Sequence, residues 1–343
     1  MNVCHQHRLF ILAVALLIFS LPALAAQTKS KPPRNTNAAG SPSKPATKPK
    51  RETAEAKREA AEAKAKAARA GVTMFVVAQD RGGSHIEPLV GIIEGRYLEP
   101  PSAESEQFSA FAARYYHIGQ RYRLLFGGGD AGTATVRAKP DKDSDCARAL
   151  ASVELQSAAR INGLVMGLAT NSEALGRRAA SRRSPTPAER TAVNDLAGRI
   201  FRQKGAAAAA VQDMKAINMT ATDLNGDGKW EIIASFIVRT PSRNEAVHHL
   251  FLIAAPDAEG FDIDLMRYAR TTKGDLPGGA SLDDVQEALL AEVLVDHVDL
   301  DGDKMSEVVT MTTNFEGATY KIYHKQKNRW ANIYEYYSYR CAF

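Results

Sequence analysis

The sequence predicts a mainly β chain with some helix, of α+β class, preceded by a non-globular N-terminal tether. Two observations carry this. An acidic loop, DLNGDGKWE at residues 223–231, runs into β-branched residues, and a second, DLDGDKMSE at 299–307, does the same about 76 residues later. Repetition at a fixed spacing marks a repeated supersecondary unit. The apolar share is 45%, and 343 residues suffice for one or two cored domains.

The elements follow in order. Residues 1–26 read as a signal peptide: Arg8 precedes an apolar stretch, Pro22 lies near its end, and Ala23-Leu24-Ala25 is an A-x-A cleavage site. Export, periplasmic or extracellular, is expected; an uncleaved leader would be a membrane anchor. Residues 27–50 are Pro-, Lys- and Ser-rich without acids, a disordered linker. Residues 51–70 are Ala-, Glu- and Lys-rich with Glu62 four before Lys66, a helical spacer without an apolar stripe. Residues 28–70 hold twelve Lys or Arg against four Glu, so the formal net charge of +5 conceals an acidic globule. Such a basic segment suits electrostatic contact with an anionic envelope, or a solvated tether. Nucleic acid is a poor partner for an exported chain.

A β-rich globule is expected over 71–343. Residues 73–78 and 89–93 read as buried strands, and 120–126 with 133–138 as a hairpin around FGGGDAG. That glycine run is followed by a strand, not a helix, which argues for a turn over a phosphate loop. Residues 147–170 lean towards strands, and the basic run 177–184 towards a solvated loop. Thr186, Pro187 and Glu189 make a capping box, and Val193, Leu196, Ile200 and Phe201 form one helical face that ends at Gly205. Strands 231–238, 247–254 and 261–268 form one meander, and 307–313, 319–325 and 329–336 another. The repeats span about 215–270 and 291–343, and Ser281 caps a short helix over 282–289.

With Cys4 in the leader, Cys146 and Cys341 remain, and an even pair in an oxidising compartment reads as a disulfide.

Oxygen side chains fall at loop positions 1, 3, 5 and 9. The first set is Asp223, Asn225, Asp227 and Glu231 with the Lys229 carbonyl; the second is Asp299, Asp301, Asp303 and Glu307 with the Met305 carbonyl. Ca²⁺ takes six to eight such oxygens. An EF-hand needs an acid at position 12 and a following helix, whereas Ala234 and Thr310 stand there within β-branched runs. Asx-rich turns that bind nothing are the plain alternative. Lys304 stands where the first copy has Gly228, which strains the second loop if that position needs positive φ.

DLNGDGKWEII and DLDGDKMSEVV resemble the FG-GAP repeat of integrin α-chain propellers and many exported bacterial proteins. The resemblance covers 220–340. It implies Ca²⁺ held between strands of propeller-blade-like antiparallel meanders. Two copies do not close a propeller, and the strands of 72–170 are expected to supply degenerate blades or a fused β domain.

Other signals are weaker. His248 and His249 are adjacent in a strand and face opposite sides, so they do not share a metal. His297 reads as a strand or surface residue. Tyr334, Tyr336, Tyr337 and Tyr339 divide between core and a surface suited to sugar or protein. No G-x-S-x-G or H-E-x-x-H pattern occurs. The favoured function is an exported calcium-binding interaction or structural module whose partner is a protein or envelope glycan. The alternative is a hydrolase acting on glycan or envelope polymer.

Overall fold

The computed structural model describes residues 71–141, 146–240, 245–278, 280–285 and 288–341. The expected leader, linker and spacer lie outside the described residues. Among the described residues no helix is long and apolar enough to cross a membrane.

Strands β1 (Val72–Asp80), β2 (Gly83–Ile93), β4 (Arg121–Phe126), β5 (Gly129–Ala138), β6 (Ala151–Ser157) and β7 (Gly167–Thr170) close into an antiparallel barrel in the order β1-β7-β4-β5-β6-β2-β1, and β3 (Arg96–Leu98) extends β2. Of the two expectations over 72–170, degenerate blades are corrected and a fused β domain is what forms. Closure is made at β2: its first half pairs with both β1 and β6, and a bulge opposite Met74 and Phe75 follows Pro88. A bulge bends the strand and accommodates a residue that cannot donate to the ladder.

Alternation along β1 divides its side chains between two cores. Phe75 and Val77 point into the barrel with Tyr122, Leu124 and Val136, and helix α1 (Glu106–Tyr115) closes that core with Phe108. Met74 and Val76 point outward into a different cluster.

That cluster is the contact with a four-stranded sheet, β13 (Glu292–Val298), β14 (Glu307–Thr313), β15 (Gly317–Gln326) and β16 (Arg329–Tyr339), which presents Val293, Val309, Tyr320 and Tyr334. Its opposite face, with Leu294, Val308 and Tyr323, meets Ile233, Phe251 and Ile253 of a second sheet. The second sheet runs β12 (Phe261–Thr272), β11 (Ala246–Pro256), β10 (Glu231–Thr240), β9 (Lys215–Thr222), β8 (Arg182–Arg183). Its outer face is covered by helix α2 (Pro187–Gln203), through Val193, Ile200 and Phe201, and by α3 (Ala208–Gln212). The layers are thus helix, sheet, sheet, barrel. This explains why β10 and β11 are mostly apolar on both faces, interrupted by Ser235 and by His248 and His249, since both of their faces are buried.

The capping box on α2 forms as read: Glu189 N donates to Thr186 Oγ1 at 3.2 Å and Thr186 N to Glu189 Oε2 at 2.7 Å. The helix expected over 282–289 is corrected to a 3-10 turn, Leu282–Asp284, followed by an isolated bridge at Leu289.

The barrel is fastened to the four-stranded sheet. Cys146 and Cys341 form the expected disulfide, with Cα atoms 5.0 Å apart. Buried Glu87 of β2 receives hydrogen bonds from Ser338 Oγ (2.6 Å), from Tyr320 and from Arg340. Arg340 holds its carboxyl below the usual range against the opposing pull of burial.

The basic run at 177–184 is not a solvated loop. It is a strap laid on the β4–β5 turn: Ser181 N donates to Gly127 O (2.8 Å), and Asp130 N to Gly176 O (3.0 Å). The Arg182 side chain is buried, and the fold supplies partners for it. Its Nη1 reaches the carbonyls of Met166 and Val295 at 2.9 Å and lies 3.5 Å from Asp296, and its guanidinium covers the Phe126 ring. The glycine turn holds a carboxyl group after all, one from its own chain. Gly127 N donates to both carboxylate oxygens of Asp296, at 3.0 and 2.9 Å. A Cβ on Gly128 would strike the His297 ring, and that buried imidazole meets Thr222 Oγ1 through Nε2 at 2.6 Å.

Candidate metal centre

The two acidic loops occupy equivalent hairpins. The first joins β9 to β10 and the second joins β13 to β14.

Their internal bonding repeats residue for residue. The carboxylate at position 1 accepts the amides of positions 4 and 6. For Asp223 these are Gly226 (2.6 Å) and Gly228 (2.9 Å), and for Asp299 they are Gly302 (2.7 Å) and Lys304 (3.1 Å). Position 3 accepts the amide of position 5: Asn225 from Asp227 (2.9 Å), Asp301 from Asp303 (3.0 Å). Position 5 accepts the amide of position 7: Asp227 from Lys229 and Asp303 from Met305, at 2.8 and 2.7 Å. Position 9 begins the next strand and is buried. Glu231 and Glu307 reach back to the amides of Leu224 (3.0 Å) and Leu300 (2.7 Å).

These bonds form because the backbone bends twice through positive φ. Gly226 and Gly302 stand at 74° and 85°, Gly228 and Lys304 at 83° and 78°. The suspected strain at Lys304 is present, at a cost of about 1 kcal/mol.

The donor set fits a hard divalent cation. Two oxygens bound to one Ca²⁺ lie no further apart than about 4.6–5.2 Å, twice the bond length. Asp299, Asp301 and Asp303 each offer an oxygen within 4.8 Å of the others, and Asp301, Glu307 and His324 form a second such group. Every carboxylate keeps lone pairs beyond those engaged by amides.

Electrostatics follow burial. Glu231 and Glu307 are pushed above the usual carboxylate range, first by burial and then by the neighbouring aspartates. The Lys229 amide lowers exposed Asp227. The Tyr97 phenol of β3 is pushed up to about 12 by burial, Glu307 and Asp301.

Of the residues read from sequence, the second set brings three carboxylates within reach of one ion, whereas Asp223, Asp227 and Glu231 do not each place an oxygen within 4.8 Å of the others; the two loops also meet each other. Ser306 N donates to Leu224 O at 2.9 Å. Arg178 from the strap donates to Lys304 O at 2.8 Å, and its guanidinium fills the space a Cβ on Gly226 would need. Ser181 Oγ donates to Asp223 O at 3.1 Å. Arg178 and His324 were missed. Arg178 looked like one more surface cation. His324 becomes legible once the β14–β15 register is known, because Val308 pairs with Tyr323 and so sets His324 opposite Glu307.

No family model, no curated protein and no solved structure matches the chain.

Proposed function

We propose that the chain is an exported, calcium-stabilised β module serving binding or structure, in which the metal fixes loop geometry and does no chemistry. The observation that carries this reading is the repeated bonding of the two loops, together with second-loop carboxylates close enough to one another to share one ion. The FG-GAP resemblance agrees with it: the two face-to-face sheets are read as blade-like meanders, with α2 and the barrel covering the faces that further blades would cover in a ring.

A bound Ca²⁺ supplies positive charge among crowded carboxylates. The chain does the rest. Amides hold each carboxylate in place, buried Glu231 and Glu307 tie each loop to the strand that follows it, and the Leu224–Ser306 bond joins one loop to the other. Tyr337 and Tyr339, exposed on β16, suit contact with a protein or envelope glycan.

Glycan hydrolysis is the weaker reading. Glu87 and Asp80 both line a cavity of about 150 Å³, but Glu87 is committed to Arg340, Tyr320 and Ser338.

The test is a thermal melt of the oxidised full chain in EDTA and across a Ca²⁺ titration, with Mg²⁺ as control. A saturating rise with Ca²⁺, reduced when Asp223 and Asp227 become Ala, supports the reading. A flat response in the unaltered chain overturns it.

A further inference from the structure

We infer that the second loop, unlike the first, is built for a divalent cation of borderline softness, of the Zn²⁺ class, with His324 as a nitrogen ligand beside Glu307 and Asp301. This deepens the reading of the loops as cation sites and rests on it.

The motivating side chain is not part of the acidic loop. His324 comes from β15, across the ladder from the first residue of β14. Its Nδ1 lies 2.7 Å from Glu307 Oε1, and one atom each of Asp301, Glu307 and His324 fall within 4.8 Å of one another. Glu307 is buried and His324 nearly so, with 1% and 16% of their side chains exposed, so these two donors are held in place by packing. Asp301 is exposed and leaves the site open to solvent on one side.

The first loop lacks this. In its sheet Ile232 pairs with Ala254, which sets Ala255 across from Glu231. A methyl group offers no donor. The loops therefore share an oxygen scheme, and beyond Asn225 against Asp301 and Gly228 against Lys304 the second adds an imidazole.

That difference sorts metals. Ca²⁺ takes oxygen ligands almost exclusively, whereas imidazole with carboxylates suits Zn²⁺ and its first-row neighbours. A cation here would replace the Nδ1–Oε1 hydrogen bond, since both atoms must give up any proton between them to act as ligands.

The experiment is isothermal titration of the full, oxidised, tag-free chain with Zn²⁺ and with Ca²⁺. Co²⁺ serves as a spectroscopic stand-in for Zn²⁺. The variants are His324→Asn, which keeps an N–H donor for Glu307 but no imidazole, and exposed Asp301→Asn, which spares the core. The expected result is one Zn²⁺ equivalent whose Kd rises about tenfold or more in each variant. Visible Co²⁺ bands should be lost with it, and Ca²⁺ binding at the first loop should be unchanged. Zn²⁺ affinity within about threefold of the unaltered chain in both variants overturns the inference, because the ion then sits elsewhere, away from His324. Absence of Zn²⁺ binding overturns it equally. If Ca²⁺ still binds in either of those cases, the calcium reading stands alone. If Zn²⁺ behaves as expected but Ca²⁺ binds neither loop, the calcium reading fails and the histidine site stands.

Discussion

The two sheets carry the same acidic loop on equivalent hairpins, yet they are covered in opposite ways. The first is covered by α2 and α3, which lie just before β9 in the chain. The second is covered by a barrel whose strands come more than a hundred residues earlier. A nearby cover needs only an apolar face, because little chain entropy is lost in placing it. A remote cover closes a long loop at greater entropic cost and gains from directional fasteners. Those fasteners are present on the second sheet: the Cys146–Cys341 bond, the Glu87 cluster and the Gly127–Asp296 clasp.

The largest expected effect tests that asymmetry directly. Cys341→Ser removes a link between residues 195 apart, worth about 4–5 kcal/mol by loop entropy. Trp230 and Trp330 provide one fluorescent reporter per sheet. Trp330, read in a Trp230→Phe background, should then lose native emission at lower urea than Trp230 does. Coincident transitions would break the comparison. Glu87→Gln leaves half-buried Arg340 beside a neutral amide and should cost about 2 kcal/mol, read as a shift in urea midpoint.

Cation binding comes next. Ca²⁺ at a hundred times its Kd should add about 2.7 kcal/mol per independent site. Ala at Asp223 and Asp227 should remove the first site's share, and Ala at Asp299 and Asp301 the second's. Equal losses would mean that the loops behave alike despite His324. Smaller again is the backbone term. Lys304→Gly should gain about 0.5–1 kcal/mol and Gly228→Ala should lose about 1, since both positions hold positive φ. Melts in EDTA isolate this from metal binding.

The smallest expected effect is a partial cancellation of two pH slopes at one buried pair. Burial raises Asp296 to about 7 and lowers His297 to about 3. The Asp296 contribution is full below its ordinary 3.8 and lost as pH rises to about 7. The His297 contribution is full above 6.5 and lost as pH falls towards about 3. The two slopes oppose each other. Asp296→Asn should uncover a stability that climbs with pH between 4.5 and 6.5, measured by urea midpoints across that window. A profile that stays flat would show that the pair does not titrate as described.

Much of this was legible from local pattern. The capping box on α2, the hairpin around the glycines, the meanders and the cysteine pair depend on neighbours in sequence or on parity, and the structure bears them out. What was hidden depends on closure. Nothing in residues 73–93 says that β2 pairs on two sides, so a barrel was not foreseen. Arg182 looked solvated because a charge run ordinarily is, and its partners, Met166 O, Val295 O and Asp296, come from distant segments. The loop residues were found because their spacing is local. The contact between the loops, through Arg178 and Ser306, was not, because it depends on how two sheets stack.

The joint between the sheets has a consequence for length. Ile233, Phe251 and Ile253 on one side and Leu294, Val308 and Tyr323 on the other make an internal seam, while helix and barrel act as the end pieces of a short stack. Linear arrays grow in this way, with terminal caps keeping the last repeat soluble and interior units interchangeable. A further copy of 215–272 spliced in ahead of β13 would lengthen the stack by about 10 Å, one sheet spacing, and leave both end pieces in place. Read so, the molecule is the shortest member of an extensible series.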